Sequence, residues 1–263
     1  MIFCSLYSGS SGNSIFVGSE KTKILLDAGL PGKKIDEALK SIDQNPADID
    51  GIFITHEHSD HIKGVGVMSR KYNIPIFANS ATWSSMEGSI GKIKEENIKV
   101  IDKRSTITIK DIDVKCFNIP HDAISPMGYT IHNNGKQVSV ATDFGTFTEE
   151  IKENIKDSEV ILLESNHDVQ MLKFGPYPYN LKRRILSEIG HLSNEDCGKA
   201  ILDILDLRRK KKIILGHLSN TNNHPDLAYE TVLGVLRDNN IAIGEDISLS
   251  MADRHKPSGY TEL

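Results

Sequence analysis

Apolar positions recur along this chain with two periods, near 2 and near 3.6, and the switches between them mark its elements. At the start, Ile2–Tyr7, Ser14–Val17 and Lys23–Asp27 read as strands, and the Gly/Ser-rich stretch at 8–13 as a tight turn. Pro31 opens a helix that runs to about Ile42. Gly51–Thr55 (GIFIT) is a short unbroken apolar run, the pattern of a buried strand. Gly64–Tyr72 reads as helix, Ile74–Ala78 as strand, and 80–98 as a polar, helical excursion holding Trp83 and Met86. From 99 to 143 strand signals come close together: Val100–Asp102, Thr106–Ile109, Val114–Ile119, Tyr129–His132 and Val138–Thr142, with Asn133-Asn134-Gly135 as a hairpin turn. The second half alternates. Helix Phe147–Ile155 is followed by strand Val160–Glu164, then by a helix capped by Asn194 with Cys197, Ile201, Ile204 and Leu205 on one face. Strand Lys212–Leu215, helix Pro225–Leu236 and strand Ile247–Met251 complete the pattern. With no repeat or low-complexity segment, residues 1–263 are expected to form a single domain of two packed sheets with helices outside.

Composition narrows the class. Of 263 residues, 38% are hydrophobic and 25% charged, which fits a folded globular chain and excludes a disordered one. The net charge of −5 gives no global basic field of the kind that advertises a nucleic-acid binder. Cys4, Cys116 and Cys197 are odd in number and form no C-x-x-C, so neither a disulfide framework nor a cysteine zinc site is expected, and a reducing, cytoplasmic setting suits them. No basic leader opens the chain and no apolar run approaches the ~20 residues of a membrane span, so neither a signal peptide nor membrane association is expected.

The histidines change the picture. His56, Glu57, His58, Asp60 and His61 put five potential ligands into six residues, directly after the apolar strand Gly51–Thr55. His56 and His58 are two apart, so an extended backbone turns both to one side. Five ligands are too many for one tetrahedral site with an open position, and the cluster suggests two metals. Imidazole with a hard carboxylate oxygen suits Zn2+, Mn2+ or iron.

At this cluster the sequence resembles the metallo-β-lactamase-fold hydrolases, whose mark is His-x-His-x-Asp-His. Further stations match along residues 1–255: Asp27 in LLDAG, His121 after Ile119-Pro120, Asp143 after VSVAT and His217 after KKIILG. The resemblance implies a four-layer αβ/βα sandwich and two divalent ions. It places His56, His58 and His121 on one ion, Asp60, His61 and His217 on the other, and Asp143 between them. Asp27 would support the metal loop from behind, and Asp60 would act as ligand, general base or both. Two ions ~3.5–4 Å apart can bridge a hydroxide and steady the attacking and leaving oxygens of a phosphoryl displacement. Aspartate at the bridging position, with no cysteine ligand, argues against a lactamase and for a phosphodiesterase.

Within that superfamily SGSSGNS (8–14), LLESNHD (162–168), YPYNLKRRILSEIGH (177–191), GHLSNED (190–196) and GHLSNTNNHP (216–225) closely resemble the bacterial YycJ/WalJ family. That implies a 5′-to-3′ exonuclease with a nucleic-acid substrate, DNA ahead of RNA. Small-diester phosphodiesterases and ribonuclease Z-like RNA processing remain alternatives, as does a non-hydrolytic di-iron redox or nucleic-acid-sensing protein. In ribonuclease Z-like enzymes a Gly-His-Ser/Thr segment carries a catalytic histidine paired with a glutamate, and His191 and Glu164 are the matching positions. His191 also precedes the Asn194-capped helix, whose N-terminus and a neighbouring imidazole both favour a phosphate. A histidine there is suited to protonating a leaving oxygen.

The remaining candidates concern substrate. Asn13 is the functional side chain of the SGSSGN turn, which either offers backbone N–H groups to a phosphate or is a plain hairpin. His167 is either a substrate contact or a group packed behind the site. Lys182, Arg183 and Arg184 are the better basic cluster for a nucleic-acid backbone, whereas RRKKK at 208–212 reads as solvated charge at a helix end. The 80–98 excursion is either ordinary helix packing or a lid that brings Trp83 or Met86 to a base. His132 is assigned to a turn, His224 to helix capping and His255 to a tail near the rim.

Overall fold

The strand signals resolve into two seven-stranded sheets in the computed structural model, which describes residues 1–206 and 208–263. The first half supplies β1 (Ile2–Tyr7), β2 (Ser14–Gly18), β3 (Lys23–Leu26), β4 (Gly51–Phe53), β5 (Ile76–Ala78) and β6 (Ile98–Val100). The second supplies β7 (Thr106–Ile109), β8 (Ile112–Asn118), β9 (Met127–Asn133), β10 (Lys136–Ala141), β11 (Val160–Glu164), β12 (Lys211–Gly216) and β13 (Ile247–Met251). A last short strand, β14 (Thr261–Glu262), returns to pair with β1. The sheet orders are β14-β1-β2-β3-β4-β5-β6 and β13-β12-β11-β10-β9-β8-β7.

Between the sheets, Phe3, Ile15, Val17, Leu26 and Phe53 meet Val114, Tyr129, Ile131, Val140 and Leu162 in one buried apolar layer. The outer face of the first sheet is covered by α1 (Gly32–Ser41), α3 (Val65–Tyr72) and α4 (Ser80–Ile90), which follow the single turn α2 (Ser59–Ile62) or flank it. The outer face of the second is covered by α5 (Glu149–Ile155), α8 (Asn194–Ile204) and α9 (Pro225–Asp238). Two short helices, α6 (Val169–Phe174) and α7 (Tyr179–Ile185), lie between β11 and α8. This is the expected αβ/βα sandwich. Among the described residues no helix is long and apolar enough to cross a membrane.

One topological fact positions the site. β3 and β4 run parallel, as do β10, β11 and β12. β8 is antiparallel to β9 and β9 to β10, so β8 shares the direction of β10. Within each sheet the carboxyl ends of these strands share an edge. The two edges meet on one rim, since donor atoms that follow β4, β8 and β10 lie within 4.8 Å of one another, the place where open α/β sheets bind ligands.

Several local readings change. The strand expected at Val100–Asp102 lies two residues earlier, as the exposed edge strand β6. Trp83 and Met86 are buried in the core beneath α4, and Trp83 Nε1 donates to the Lys99 carbonyl (3.2 Å), so this helix packs and is no lid. His132 belongs to β9, opposite Gln137, and not to a turn; the turn itself is Asn134 and Gly135, at φ 49° and 75°. Ser193, not Asn194, caps α8, because its hydroxyl reaches the Asp196 N–H (3.1 Å). Lys211 of the basic run is buried; its ammonium donates to the carbonyls of Lys156 and Ser158, so it is not solvated charge. His224 caps α9 as expected, its Nδ1 accepting from the Asp226 N–H (3.3 Å).

Candidate active site

Every ligand candidate sits at or just beyond a strand end on the shared rim. Asp27 directly follows β3, His56 and His58 follow β4, and His61 rides on α2. His121 follows β8, Asp143 follows β10, Glu164 ends β11, and His217 directly follows β12. The chain must turn sharply there to aim these side chains inward. Asp27, Asp143 and His217 accordingly adopt left-handed backbone, φ 59°, 63° and 55°, a conformation that is sparsely populated and concentrates at functional sites. Gly29 lets the Asp60 loop close on this turn: a Cβ there would stand 1.6 Å from the Asp60 carbonyl oxygen.

The donor atoms converge in overlapping groups within 4.8 Å: His56, His58 and His121; Asp60, His61 and His217; and His56, His61 and Asp143. Asp143 stands between them, with Oδ2 3.3 Å from His61 Nε2 and Oδ1 3.4 Å from His217 Nε2 and 3.8 Å from His121 Nε2. Asp60 Oδ2 is 3.6 Å from His61 Nε2 and 3.8 Å from His217 Nε2.

The opposite ring nitrogens fix the tautomers. A carboxylate only accepts, so His61 Nδ1–H donates to Asp27 Oδ2 (2.7 Å) and His217 Nδ1–H donates to Glu164 Oε1 (2.8 Å). His121 Nδ1–H donates to the Gly190 carbonyl (3.2 Å). Thr55 gives its hydroxyl proton to Asp27 Oδ2 (2.8 Å) and so accepts from His56 Nδ1–H (2.9 Å). All four Nε2 atoms then turn toward the centre, with their rings held from behind, the usual arrangement around a bound metal. His56 Nε2 and His58 Nδ1 lie 3.1 Å apart.

These residues fit divalent ions. His121 Nε2, His217 Nε2 and Asp143 Oδ2 are buried without a hydrogen-bond partner, and an unpaired buried polar atom is costly. Asp27, Asp143 and Glu164 are buried here, and among the described residues their ion-pair partners are imidazoles, never a lysine or arginine. The nitrogen and oxygen donors suit zinc, manganese or iron.

The electrostatics follow. Burial works against the charge of Asp143, but His217 and His61 hold its carboxyl well below the usual range. Burial also works against Glu164, which His191 and His217 hold down at about 2. His56 is pushed well below its ordinary value by burial and by His61. His217 goes the other way: against burial, Asp143, Asp60 and Glu164 lift it to about 10. Without metal its ring is charged at neutral pH, and since Nδ1–H is committed to Glu164, a ligand role costs the Nε2 proton. Loading metal at pH 7 should therefore release a proton from His217, seen as a buffer-dependent heat in calorimetry. A raised folded value stabilises fully below the unfolded value near 6.5 and is lost as pH climbs through 10. Metal-free protein should thus melt at progressively lower temperature over that interval. A flat profile with no proton release would contradict the assignment.

His191 is placed differently. Its Nδ1 is 2.8 Å from Glu164 Oε1 and 3.9 Å from Asp143 Oδ1, but its ring is partly exposed at the mouth. It lines a cavity of about 150 Å³ with Asp122, Asn166, Tyr177, Arg184 and Ser219. Glu164 is shared: Oε1 takes His191 and His217, and Oε2 takes the N–H groups of Phe144 (2.9 Å) and Leu192 (3.3 Å). The Asn13 amide reaches the centre, 3.1 Å from His61 Nε2 and 3.5 Å from Asp60 Oδ2, while its Oδ1 accepts from the Gly9 N–H.

The other candidates lie outside this centre. Glu57 turns outward and accepts from the Ile124 N–H (2.8 Å). His167 is buried, and burial pushes it down to about 4. The first turn of α8 holds its own Glu195 and Asp196, which already complement the helix end proposed for phosphate. The Gly9 and Gly12 N–H groups are spent within the SGSSGN turn, on Asn13 Oδ1 and on the Gly9 carbonyl. Arg184 pairs with Asp122 and Lys182 donates to the Lys173 carbonyl (2.8 Å), so the basic cluster is partly committed. Residues not foreseen are Thr55, whose relay sets His56, and Ser8, whose hydroxyl accepts from the His217 N–H (2.8 Å).

Comparison with known proteins agrees with this rim. The Beta-lactamase superfamily domain matches residues 22–218. The chain belongs to the metallo-β-lactamase superfamily. It is 42% identical to Exodeoxyribonuclease YycJ of Bacillus anthracis over 256 residues, 97% of each chain. It is 43% identical to Exodeoxyribonuclease WalJ of Streptococcus pneumoniae over 260 residues, 98% of this chain and 96% of that one. These values place it in the YycJ/WalJ family. The crystal structure of Zn(2+)-bound PqqB from Methylobacterium extorquens shares the fold, with a TM-score of 0.73, 16% identity and full coverage of both chains.

Proposed function

We propose that this chain is a dinuclear metal-dependent 5′-to-3′ exodeoxyribonuclease, with residues 1–263 as one catalytic domain. The observation that carries the reading is the convergence of seven buried or half-buried donors on one rim, in a chain 42–43% identical to exodeoxyribonucleases over nearly its whole length. His56, His58 and His121 would hold one ion, Asp60, His61 and His217 the other, and Asp143 both. Bound there, two divalent ions supply Lewis acidity and lower the pKa of water to near neutrality.

The chain's own residues do the rest. Asp60, the partly exposed carboxylate beside His61 and His217, would take a proton from the attacking water. His191 Nε2 faces the mouth, where it can hand a proton to the leaving sugar oxygen, while Glu164 holds its Nδ1–H and so its ring orientation. Asn13 offers its amide to a phosphoryl oxygen in front of His61. Asp27 and Thr55 orient the metal-loop imidazoles. Arg183 and Lys182 would contact the phosphate backbone.

The test compares DNA and RNA strands of one sequence, labelled at either end, with metal-loaded protein. Stepwise release of mononucleotides from the 5′ end of DNA is expected. If a nitrophenyl phosphodiester is hydrolysed while every nucleic acid stays intact, the small-diester reading replaces this one.

A further inference from the structure

Residues 169–187, between β11 and α8, differ from the rest of this acidic chain. They hold Lys173, Lys182, Arg183 and Arg184 and no aspartate or glutamate, while the whole protein carries −5. They also hold Phe174, Tyr177 and Tyr179. Phe174 is 85% exposed and Tyr179 72%, more than any other aromatic among the described residues. Neither ring contributes to a core, so folding does not account for them.

Their support is stiff. Pro176 and Pro178 bracket Tyr177 in the link between α6 and α7, which removes backbone freedom. Lys182 Nζ donates to the Lys173 carbonyl (2.8 Å) and ties the two helices together. The Arg183 guanidinium lies 5.8 Å from the centroid of the Tyr179 ring. The segment is also continuous with the active-site rim, because Tyr177 turns inward to line the cavity that His191 closes.

Exposed flat rings beside cations that no carboxylate neutralises, among the described residues, match one occupant. An apolar protein surface would cover the rings but strand the charges of Lys173, Lys182 and Arg183. A duplex would meet the charges, but its base faces are already stacked on one another. An unpaired strand offers both a base face for each ring and a phosphate for each cation. We infer that α6–α7 is a platform for single-stranded DNA: bases stack on Phe174 and Tyr179, Lys173, Lys182 and Arg183 take the phosphates, and the unpaired end passes Tyr177 to the metals. This rests on the nuclease reading and adds a substrate form to it: duplex ends must fray before they are cut.

The experiment uses metal-loaded protein and a phosphorothioate oligonucleotide, which is cut slowly enough for binding to be measured. Phe174→Ala and Tyr179→Ala should each weaken single-strand binding on the order of 10-fold. Both positions are exposed, so the melting temperature should stay within a degree or two. As an independent readout, Phe174→Trp or Tyr179→Trp should retain affinity and show fluorescence quenching when the single strand binds, because the native Trp83 is buried. Wild-type protein should cleave a single strand or a 5′ overhang faster than a blunt duplex. Unchanged affinity in both alanine variants, no quenching, or a blunt-duplex preference would overturn the platform while DNA cleavage by the wild type keeps the nuclease reading. Loss of self-association in Phe174→Ala, seen by light scattering without loss of DNA affinity, would assign the patch to a second copy and overturn it too. Absence of DNA cleavage by the wild type, with an unaltered small-diester rate, would instead reject the nuclease reading.

Discussion

Replacing Asp143 with alanine is expected to remove both metal ions and to abolish phosphodiester cleavage. The carboxylate stands between the two histidine groups, 3.3 Å from His61 Nε2, 3.4 Å from His217 Nε2 and 3.8 Å from His121 Nε2. Its charge acts on both the His61 and His217 imidazoles, beside Asp27 and Asp60 on the first and Asp60 and Glu164 on the second. Without it, Asp60 is the one carboxylate left among the proposed ligands. Alanine also tolerates the left-handed φ of 63° poorly, so Asp143→Asn, which accepts that backbone, separates charge from conformation. Both variants should bind less than one ion per chain in equilibrium dialysis. Cleavage should fall by well over the roughly 100-fold that loss of a residue behind a metal ligand costs. His121→Ala and His217→Ala should each lose one ion preferentially. An Asp143→Asn protein that holds two ions and cuts DNA would end the bridging assignment.

What was readable in advance has a physical pattern. His56, His58, Asp60 and His61 were legible because six residues after an apolar strand carry them, and Asp27, His121, Asp143 and His217 through the family resemblance, each following an apolar run. The strand ends share a rim as a matter of topology, so strand order and direction place them together. The supporting contacts were opaque. Thr55 acts only through its position between Asp27 and His56, and nothing in the local pattern separates Glu57, which turns to Ile124, from its ligand-like neighbours. Ser193 and Asn194 are both good caps, and only the hydroxyl's reach to Asp196 decides between them. Lys211 reads as solvated in a basic run, yet the β11–β12 register buries it over two carbonyls. α6 and α7 have six and seven residues, too short to show a helical period. β14 is two residues long and exists because β1 offers it an edge.

His191→Ala should keep both ions and still lose most DNA cleavage. The geometry separates His191 from His217 although both touch Glu164 Oε1: His217 is buried with Nε2 toward Asp60 and Asp143, whereas His191 is partly exposed at the mouth. A ligand lost from the first position costs metal; a proton donor lost from the second costs rate. General acid catalysis is worth roughly 100-fold or more, and it matters in proportion to how badly the leaving group needs a proton. A departing sugar alkoxide needs one, whereas nitrophenolate leaves readily without. The His191→Ala defect should therefore be at least about 10-fold smaller on a nitrophenyl diester than on DNA, with the fall in kcat rather than KM. Glu164→Gln should behave differently from both. An amide cannot accept from two imidazoles and two backbone N–H groups as the carboxylate does. Since Phe144 follows Asp143, the change reaches the bridging residue as well as both histidines. It should weaken metal binding and slow both substrates together. If His191→Ala instead loses an ion, or slows the activated diester as much as DNA, then His191 is a ligand and the acid must be sought elsewhere on the rim.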